Sequence, residues 1–133
     1  MSGETAEKGV YDKNTTVFAP ALPARTELTK KIVFMVKEEV LRTAKEYAAA
    51  VRKEMETNSI ALYGSHARGN ATQSSDIDIA VIVDHIPGDY LDTMSALWRL
   101  TNTINDEIEP VLLVASDNQS GFLETVRRTG IAV

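Results

Sequence analysis

The sequence predicts an α+β fold, in which a small mixed β-sheet is flanked by helices. Three segments carry apolar residues at the three- or four-residue spacing of an amphipathic helix, and three short runs are rich in Ile, Val and Leu. The predicted order is helix, strand, strand, helix, strand, helix, with no internal repeat. Helices interspersed with few strands favour a sheet that is covered by helices on one face.

The length of the chain predicts one domain. Its 133 residues, of which 44% are apolar, suffice for one modest core. We expect residues 26–133 to form this domain. Residues 1–25 include Pro20 and Pro23 and show no sustained period, so we expect them to be a flexible N-terminal arm.

The composition excludes several classes of protein. The absence of cysteine excludes disulfides and thiolate metal sites and, with no export signal, favours a cytoplasmic protein. The longest apolar runs fall far short of the roughly 20 residues that cross a bilayer. A net charge of −5 argues against a broad nucleic-acid surface but not against a phosphate site.

The first helix is predicted to follow Thr26, a plausible N-cap. Apolar residues recur every three or four positions from Leu28 to Met55, which predicts one long helix or two nearly collinear ones. Residues 60–63 then read as a short buried strand that ends at Gly64.

The second half of the chain contains two more strands and two more helices. Residues 76–83 and 108–114 are the predicted strands, and residues 90–104 fit a helix of about four turns.

A last helix is predicted to start near Ser116 or Asp117. It would turn Phe122, Leu123 and Val126 inward and end at Gly130 in a left-handed C-cap.

Two acids interrupt the apolar run of the second strand. Side chains alternate across a strand, so Asp76 and Asp78 project from one face. Two neighbouring carboxylates repel each other, and the nearby sequence offers no lysine after Lys53 and only Arg68 as a cation. A divalent metal is therefore the natural counter-ion, and carboxylate oxygens suit Mg²⁺ or, as an alternative, Mn²⁺.

A third carboxylate is available on the last predicted strand. If that strand pairs beside the Asp76 strand, Glu109 comes within roughly 5 Å of the other acids. Glu107 shares its face and is the rival assignment. Pro110 cannot donate a ladder hydrogen bond, which favours an edge strand or a proline that faces outward.

The turn after the first strand suits a phosphate. Gly64 permits positive φ or a close backbone approach, and the hydroxyl of Ser65 together with backbone N–H groups can hold phosphate oxygens where a helix begins.

These residues form a recognisable signature. Gly64-Ser65, ten intervening residues, then Asp76-Ile77-Asp78 resembles the motif of the DNA polymerase beta-like nucleotidyltransferase superfamily. The fuller string Gly-Ser-His-Ala-Arg-Gly followed by Ser-Asp-Ile-Asp-Ile is similar to its minimal nucleotidyltransferase (MNT) branch. The resemblance is strong over residues 60–83 and implies the polymerase beta-like palm fold.

The resemblance also implies roles for individual residues. Gly64 and Ser65 would hold the triphosphate of ATP, the substrate. Asp76, Asp78 and Glu109 would bind two Mg²⁺ ions, which align an attacking hydroxyl with the α-phosphate. Two further residues of the motif, Arg68 and Ser75, would contact the nucleotide. Many relatives carry Asp at the third acidic position, where this chain has Glu followed by Pro.

The acceptor must come from elsewhere, because the chain has no room for a second domain. MNT proteins are typically paired with a small helical HEPN-domain partner. In the toxin–antitoxin version, as the resemblance implies, the MNT protein transfers AMP to a tyrosine of that partner. A second copy of the chain is another candidate partner. A non-catalytic binding module and, more weakly, transfer to a small molecule are the alternatives.

Four other residues receive no chemical role. We expect His66 and His85 to lie in loops and to be exposed, and Tyr90 and Trp98 to belong to the core or an interface.

Overall fold

The computed structural model describes residues 27–72, 74–117 and 120–133, with side chains from Lys37 onward. The segment predicted as an N-terminal arm therefore lies outside the described residues. No helix within the described ranges is long and apolar enough to cross a membrane.

Eight helices and strands follow one another within the described ranges. They are α1 (Glu27–Glu54), β1 (Ser59–Tyr63), α2 (Ser65–Arg68), β2 (Ile77–Val83), α3 (Tyr90–Ile104), β3 (Ile108–Val114), α4 (Phe122–Thr129) and β4 (Ile131–Ala132). The six predicted elements are all present, and α1 is one continuous helix. The two additions, α2 and β4, are each too short to show a period in the sequence.

The four strands form one mixed sheet in the order β3-β2-β1-β4. Strand β1 pairs antiparallel with both β2 and β4, while β2 and β3 are parallel and are joined through α3. Strand β3 lies at an edge of the sheet, which confirms the expectation based on Pro110.

One side of the sheet, here called the packed face, is covered by α1 and α3. Its buried core draws on both helices and on β1, β2 and β3. The helix residues of this core are Ala44, Tyr47, Ala48, Val51 and Leu97. The hydroxyl of Tyr47 donates a buried hydrogen bond to the carbonyl of Leu97 at 2.7 Å, which ties α1 to α3. Burial also raises the pKa of Tyr47.

Both ends of α3 are fixed by side chains. At its start, Asp89 accepts a hydrogen bond from the N–H of Leu91 at 3.1 Å, the arrangement of an N-cap. At its end, the Asn105 side chain accepts from the N–H of Glu107 at 2.7 Å. The carbonyl of Glu107 then accepts from the N–H of Ile77 at 2.9 Å. This turn sets where β3 begins to pair with β2.

The expectation that helices cover only one face is wrong. Helix α4 packs on the opposite side, here called the open face, where Leu123 and Val126 join a second buried cluster with Ala61, Ala80 and Ile82.

Helix α4 also differs from the sequence prediction at both ends. It begins at Phe122, because the chain first turns at Asp117, whose N–H donates to the carbonyl of Val114 at 2.9 Å. Phe122 does not face fully inward, since it is 36% exposed. Gly130 is extended, with φ −82° and ψ 171°, and is not left-handed. A Cβ there would come within 3.0 Å of the carbonyl oxygen of Leu62, so the glycine allows a close approach to β1.

Candidate active site

Three polar residues form a row across the open face, at the end of the sheet where β2 begins. In the register of the strands, Tyr63 of β1 is opposite Asp78 of β2, and Asp78 is opposite Glu109 of β3. The alternation of β2 produces this arrangement, since Ile77 and Ile79 are buried in the core of the packed face. Tyr63, Asp78 and Glu109 are called the polar row below.

Asp76 lies at the same end, one residue before β2 begins, and shares a side-chain hydrogen bond with Glu109. The rival acid, Glu107, precedes β3 and is exposed. Its backbone has a structural role, because its carbonyl accepts from Ile77. The structure thus brings Asp76, Asp78 and Glu109 to one place on the sheet.

The charges of neighbouring acids raise the pKa of Asp78 and that of Glu109. Burial raises the pKa of Asp78, the charge of Asp76 raises it further, and His66 and Arg68 partly offset the rise. The charge of Asp76 is the largest cause of the raised pKa of Glu109, followed by burial, the charge of Asp78 and the hydrogen bond to Asp76. The site therefore carries more negative charge than its own cations balance.

The donor set suits a hard divalent cation. The available ligands are carboxylate oxygens, and their mutual repulsion would be relieved by a positive ion. Within the described ranges, no three acidic or histidine side chains are already placed so that they could hold a metal ion together. Mg²⁺ is typically held by one or two carboxylates and completes its shell with water and phosphate oxygens. The residues present therefore fit Mg²⁺.

Gly64 is required by its contact with Asp78. It has φ 78° and precedes α2, and a Cβ at this position would overlap the Oδ2 atom of Asp78. The Asp78 carboxylate thus passes directly over the Gly64 backbone. The β1–α2 turn and the acids consequently share one surface.

Ser65 is the first residue of α2, and Arg68 is the last. The first hydrogen bond of this helix runs from the N–H of Arg68 to the carbonyl of Gly64 at 3.0 Å. The N–H groups of the first turn therefore have no acceptor inside α2. The Arg68 side chain is exposed and close enough to Asp78 to lower the pKa of that carboxyl.

Ser75 shapes the loop that leads into β2. Its hydroxyl accepts from the N–H of Thr72 at 2.9 Å, and its own N–H donates to the carbonyl of Thr72 at 3.1 Å. The expected contact of Ser75 with a nucleotide stays a prediction, and so do the metal and nucleotide roles of the other predicted residues.

An aromatic pair beside the acids was missed by sequence reasoning. The rings of Tyr63 and Phe122 meet edge to face, with centroids 5.5 Å apart and an interplanar angle of 82°. Burial raises the pKa of Tyr63, and the charges of Asp78 and Glu109 add to the rise, so its phenol lies near both acids. No local pattern in the sequence joins residues so far apart.

Two aromatic side chains that we expected in the core or an interface, those of Tyr90 and Trp98, are exposed. Trp98 and Tyr90 lie on α3 and are 45% and 47% exposed. Trp98, Leu91 and Met94 line a shallow groove on α3. None of the acids of the site lines this groove.

Comparisons with known proteins agree with this fold. The family model described as "Polymerase beta, Nucleotidyltransferase" matches residues 45–133. A solved structure from Sulfolobus solfataricus, itself assigned as a nucleotidyltransferase only by inference, is similar with a TM-score of 0.57 and 20% identity, covering 75% of this chain and 84% of that one. This likeness shows the fold. No protein with a curated description matches the chain.

Proposed function

Because the chain belongs to the polymerase beta nucleotidyltransferase family, we propose that it transfers AMP from ATP to a hydroxyl group in a Mg²⁺-dependent reaction. The observation that carries the proposal is the meeting of Asp76, Asp78 and Glu109 beside the Gly64 turn. In this proposal the acids would be the metal ligands, and the turn would hold the phosphates.

Each part of the site has a task in this reaction. The N–H groups at the start of α2 and the hydroxyl of Ser65 hold the β- and γ-phosphates, and the Arg68 guanidinium balances their charge. Asp76, Asp78 and Glu109 hold the metal. When bound, Mg²⁺ neutralises charge on the transferring phosphate and on the leaving pyrophosphate.

The bond changes balance as a simple substitution. The acceptor oxygen forms a bond to the α-phosphorus, the bond from that phosphorus to the bridging oxygen breaks, and pyrophosphate leaves. The acceptor loses its proton. Solvent can receive this proton, because Asp76 and Glu109 lie exposed at this end of the sheet.

The exposed ring of Phe122 offers a surface for the base of the nucleotide. It meets the ring of Tyr63 edge to face, and Tyr63 directly precedes Gly64, so Phe122 lies beside the strand that leads into the phosphate seat. Stacking on an aromatic ring accommodates any base, which is compatible with ATP as the substrate.

We further propose that the acceptor is a tyrosine of a small helical HEPN-type partner in a two-component toxin–antitoxin system. The similarity of residues 64–69 and 75–79 to the MNT branch supports this choice. The open face supports it as well, since Glu109 is exposed and Asp78 is only partly buried, which leaves both acids accessible to a residue from another chain.

The test is transfer of radiolabel from ATP labelled at the α-phosphate. The protein is incubated with Mg²⁺ and the small helical protein encoded beside it, and we expect label on a tyrosine of that protein. Asp76→Ala and Asp78→Ala should each abolish labelling, while Asp92→Asn, a change in an exposed acid of α3, should leave it intact. Labelling that survives the loss of both aspartates would contradict the mechanism. Binding of ATP without any transfer would favour the non-catalytic module.

A matched pair of variants tests which glutamate is the third metal ligand. Glu109→Gln should lower transfer at least ~10-fold, because a ligand beside Asp78 is lost. Glu107→Gln should retain transfer, since the part of Glu107 that the fold uses is its backbone carbonyl. The reverse result would assign the role to Glu107.

A further inference from the structure

His66 does not lie in a loop as expected. It is the second residue of α2, is partly buried, and has its Nε2 atom 3.4 Å from the carbonyl oxygen of Ser75. Ser75 immediately precedes Asp76. The imidazole ring therefore connects the helix of the phosphate seat to the residue before the first acid.

The loop that His66 spans has a hydrogen-bonded turn at each end. At the α2 end, the N–H groups of Gly69 and Asn70 donate to the carbonyl of Ser65 at 3.0 and 3.1 Å. At the β2 end, Thr72 and Ser75 bond to each other through backbone and hydroxyl groups. His66 joins these two turns across the loop.

The same ring is near the second acid. A protonated His66 lowers the pKa of Asp78, so the imidazole lies within electrostatic range of that carboxylate. Asp78 in turn lies directly over Gly64. The histidine is thus surrounded by the phosphate seat on one side and by the acids on the other.

We infer that His66 is a positioning residue, whose Nε2–H donates to the Ser75 carbonyl and holds Asp76 and Asp78 where they bind a divalent cation beside the phosphate seat. This role rests on the proposed function of the site. It requires the neutral tautomer with the proton on Nε2 or the doubly protonated ring, because only these donate from Nε2. Partners that orient metal ligands affect metal affinity without touching the metal.

The test compares two replacements of similar size. His66→Gln keeps an N–H donor near the Nε2 position, whereas His66→Leu fills the space without a donor. His85→Leu is the matched control, because His85 is the other histidine of the chain and is exposed in the loop after β2. Thermal unfolding of each variant verifies that the fold is retained.

Two readouts separate positioning from a purely structural role. Amide hydrogen exchange is measured over residues 70–78, and the affinity for Mn²⁺ alone is measured by calorimetry. We expect His66→Leu to accelerate exchange at Ser75 and Ile77 and to weaken Mn²⁺ binding roughly 10-fold. His66→Gln should restore most of both, and His85→Leu should change neither.

The outcomes are distinct. Exchange and Mn²⁺ affinity that are the same in His66→Leu and His85→Leu would overturn the inference. The same holds if His66→Gln behaves like His66→Leu, because the donor would then be irrelevant. If the unaltered protein binds no Mn²⁺, the proposed function fails, while the exchange of residues 70–78 still decides whether His66 holds the loop.

Discussion

The two faces of the sheet are built from the same strands but differ in how much of them is covered. On the packed face, α1 and α3 run along the strands, and Ile77, Ile79, Val81 and Val83 of β2 are all buried. On the open face, α4 has eight residues, about 12 Å of helix, against about 23 Å for the seven residues of β2. It covers Ala80 and Ile82 and contacts Tyr63 through Phe122, while at the strand end Asp78 is only partly buried and Glu109 is exposed.

The two faces also differ in charge. The buried residues of the packed face are apolar except for threonines and the satisfied hydroxyl of Tyr47. At the open face, the charges of neighbouring acids raise the pKa of Asp78 and that of Glu109. One strand therefore supplies stability through its odd-numbered residues and, in the proposed function, chemistry through Asp78. Substitutions on the two faces should separate these effects.

The largest expected effect is the loss of transfer in Asp78→Asn. Without the charge, a metal ligand is lost, and we expect the rate to fall at least ~1000-fold. Stability should stay the same or increase, because burial and Asp76 disfavour the charged form of Asp78. The rate is measured by radiolabel transfer and stability by urea unfolding. A large loss of stability in this variant would show that the acid belongs to the core.

On the packed face, Leu97→Ala should show the opposite behaviour. Leu97 is fully buried between α1 and the sheet, and its truncation should lower the free energy of unfolding by about 2–5 kcal/mol. Leu91→Ala on the same helix is the control, since Leu91 is 69% exposed. We expect the control to stay within ~0.5 kcal/mol. Similar values for the two variants would contradict the packing described.

A pair of glycines tests the contact between the turn and the acids. Gly69→Ala places alanine in the left-handed region, which costs about 1–2 kcal/mol, whereas Gly64, with φ 78° and ψ −153°, lies in a region essentially restricted to glycine and strains alanine further. Only at Gly64 does the new Cβ meet Asp78, because nothing lies within 4 Å at Gly69. We expect Gly64→Ala to lose more stability than Gly69→Ala and to lose transfer. Equal effects in urea unfolding and in transfer assays would show that Asp78 does not pass over Gly64.

A smaller effect is expected from the exposed aromatic residues. Phe122→Ala should weaken binding of a non-hydrolysable ATP analogue ~10-fold, because stacking on a ring contributes ~1–3 kcal/mol per base. Trp98→Ala, which removes an equally exposed ring from α3, should leave that affinity unchanged. Calorimetry measures both. Loss of affinity only in Trp98→Ala would move the nucleotide away from the polar row.

The smallest effect is a pH dependence of stability. Asp78 and Glu109 have pKa values above those of free carboxyls, so the folded state binds their protons more tightly than the unfolded state does. Their ionisation therefore destabilises the metal-free protein above the raised pKa, and this penalty disappears as the pH falls below the normal value near 4. Stability measured by urea unfolding should drop less in Asp78→Asn than in the unaltered protein as the pH rises to 7. An identical dependence of stability on pH in the two proteins would contradict the repulsion between these acids.

Local sequence patterns predicted the long elements well. The predicted bounds of α3 and β3 agree with the structure, because an N-cap at Asp89 and the apolar run of residues 111–114 in β3 are local signals. The predictions for the start and the end of α4 were wrong. The exposure of Phe122 and the close approach of Gly130 to Leu62 depend on how α4 and β4 pack against β1.

The site divides in the same way. That Asp76 and Asp78 point to one side follows from strand alternation, which any reader of the sequence can apply. The position of Glu109 opposite Asp78 depends on which strands pair and in what register. The contacts of His66 with Ser75 and of Tyr63 with Phe122 arise only when distant segments meet. The sequence therefore predicts the residues of the motif, whereas their contacts with distant residues depend on the fold.

The most direct test of the central claim is calorimetric titration of the protein with a non-hydrolysable ATP analogue, with and without Mg²⁺. The claim is that the uncovered acids beside the Gly64 turn bind a metal-associated nucleotide. We expect binding that requires Mg²⁺ in the unaltered protein and is lost in Asp78→Asn. Binding that is independent of Mg²⁺, or that survives in Asp78→Asn, would contradict the account.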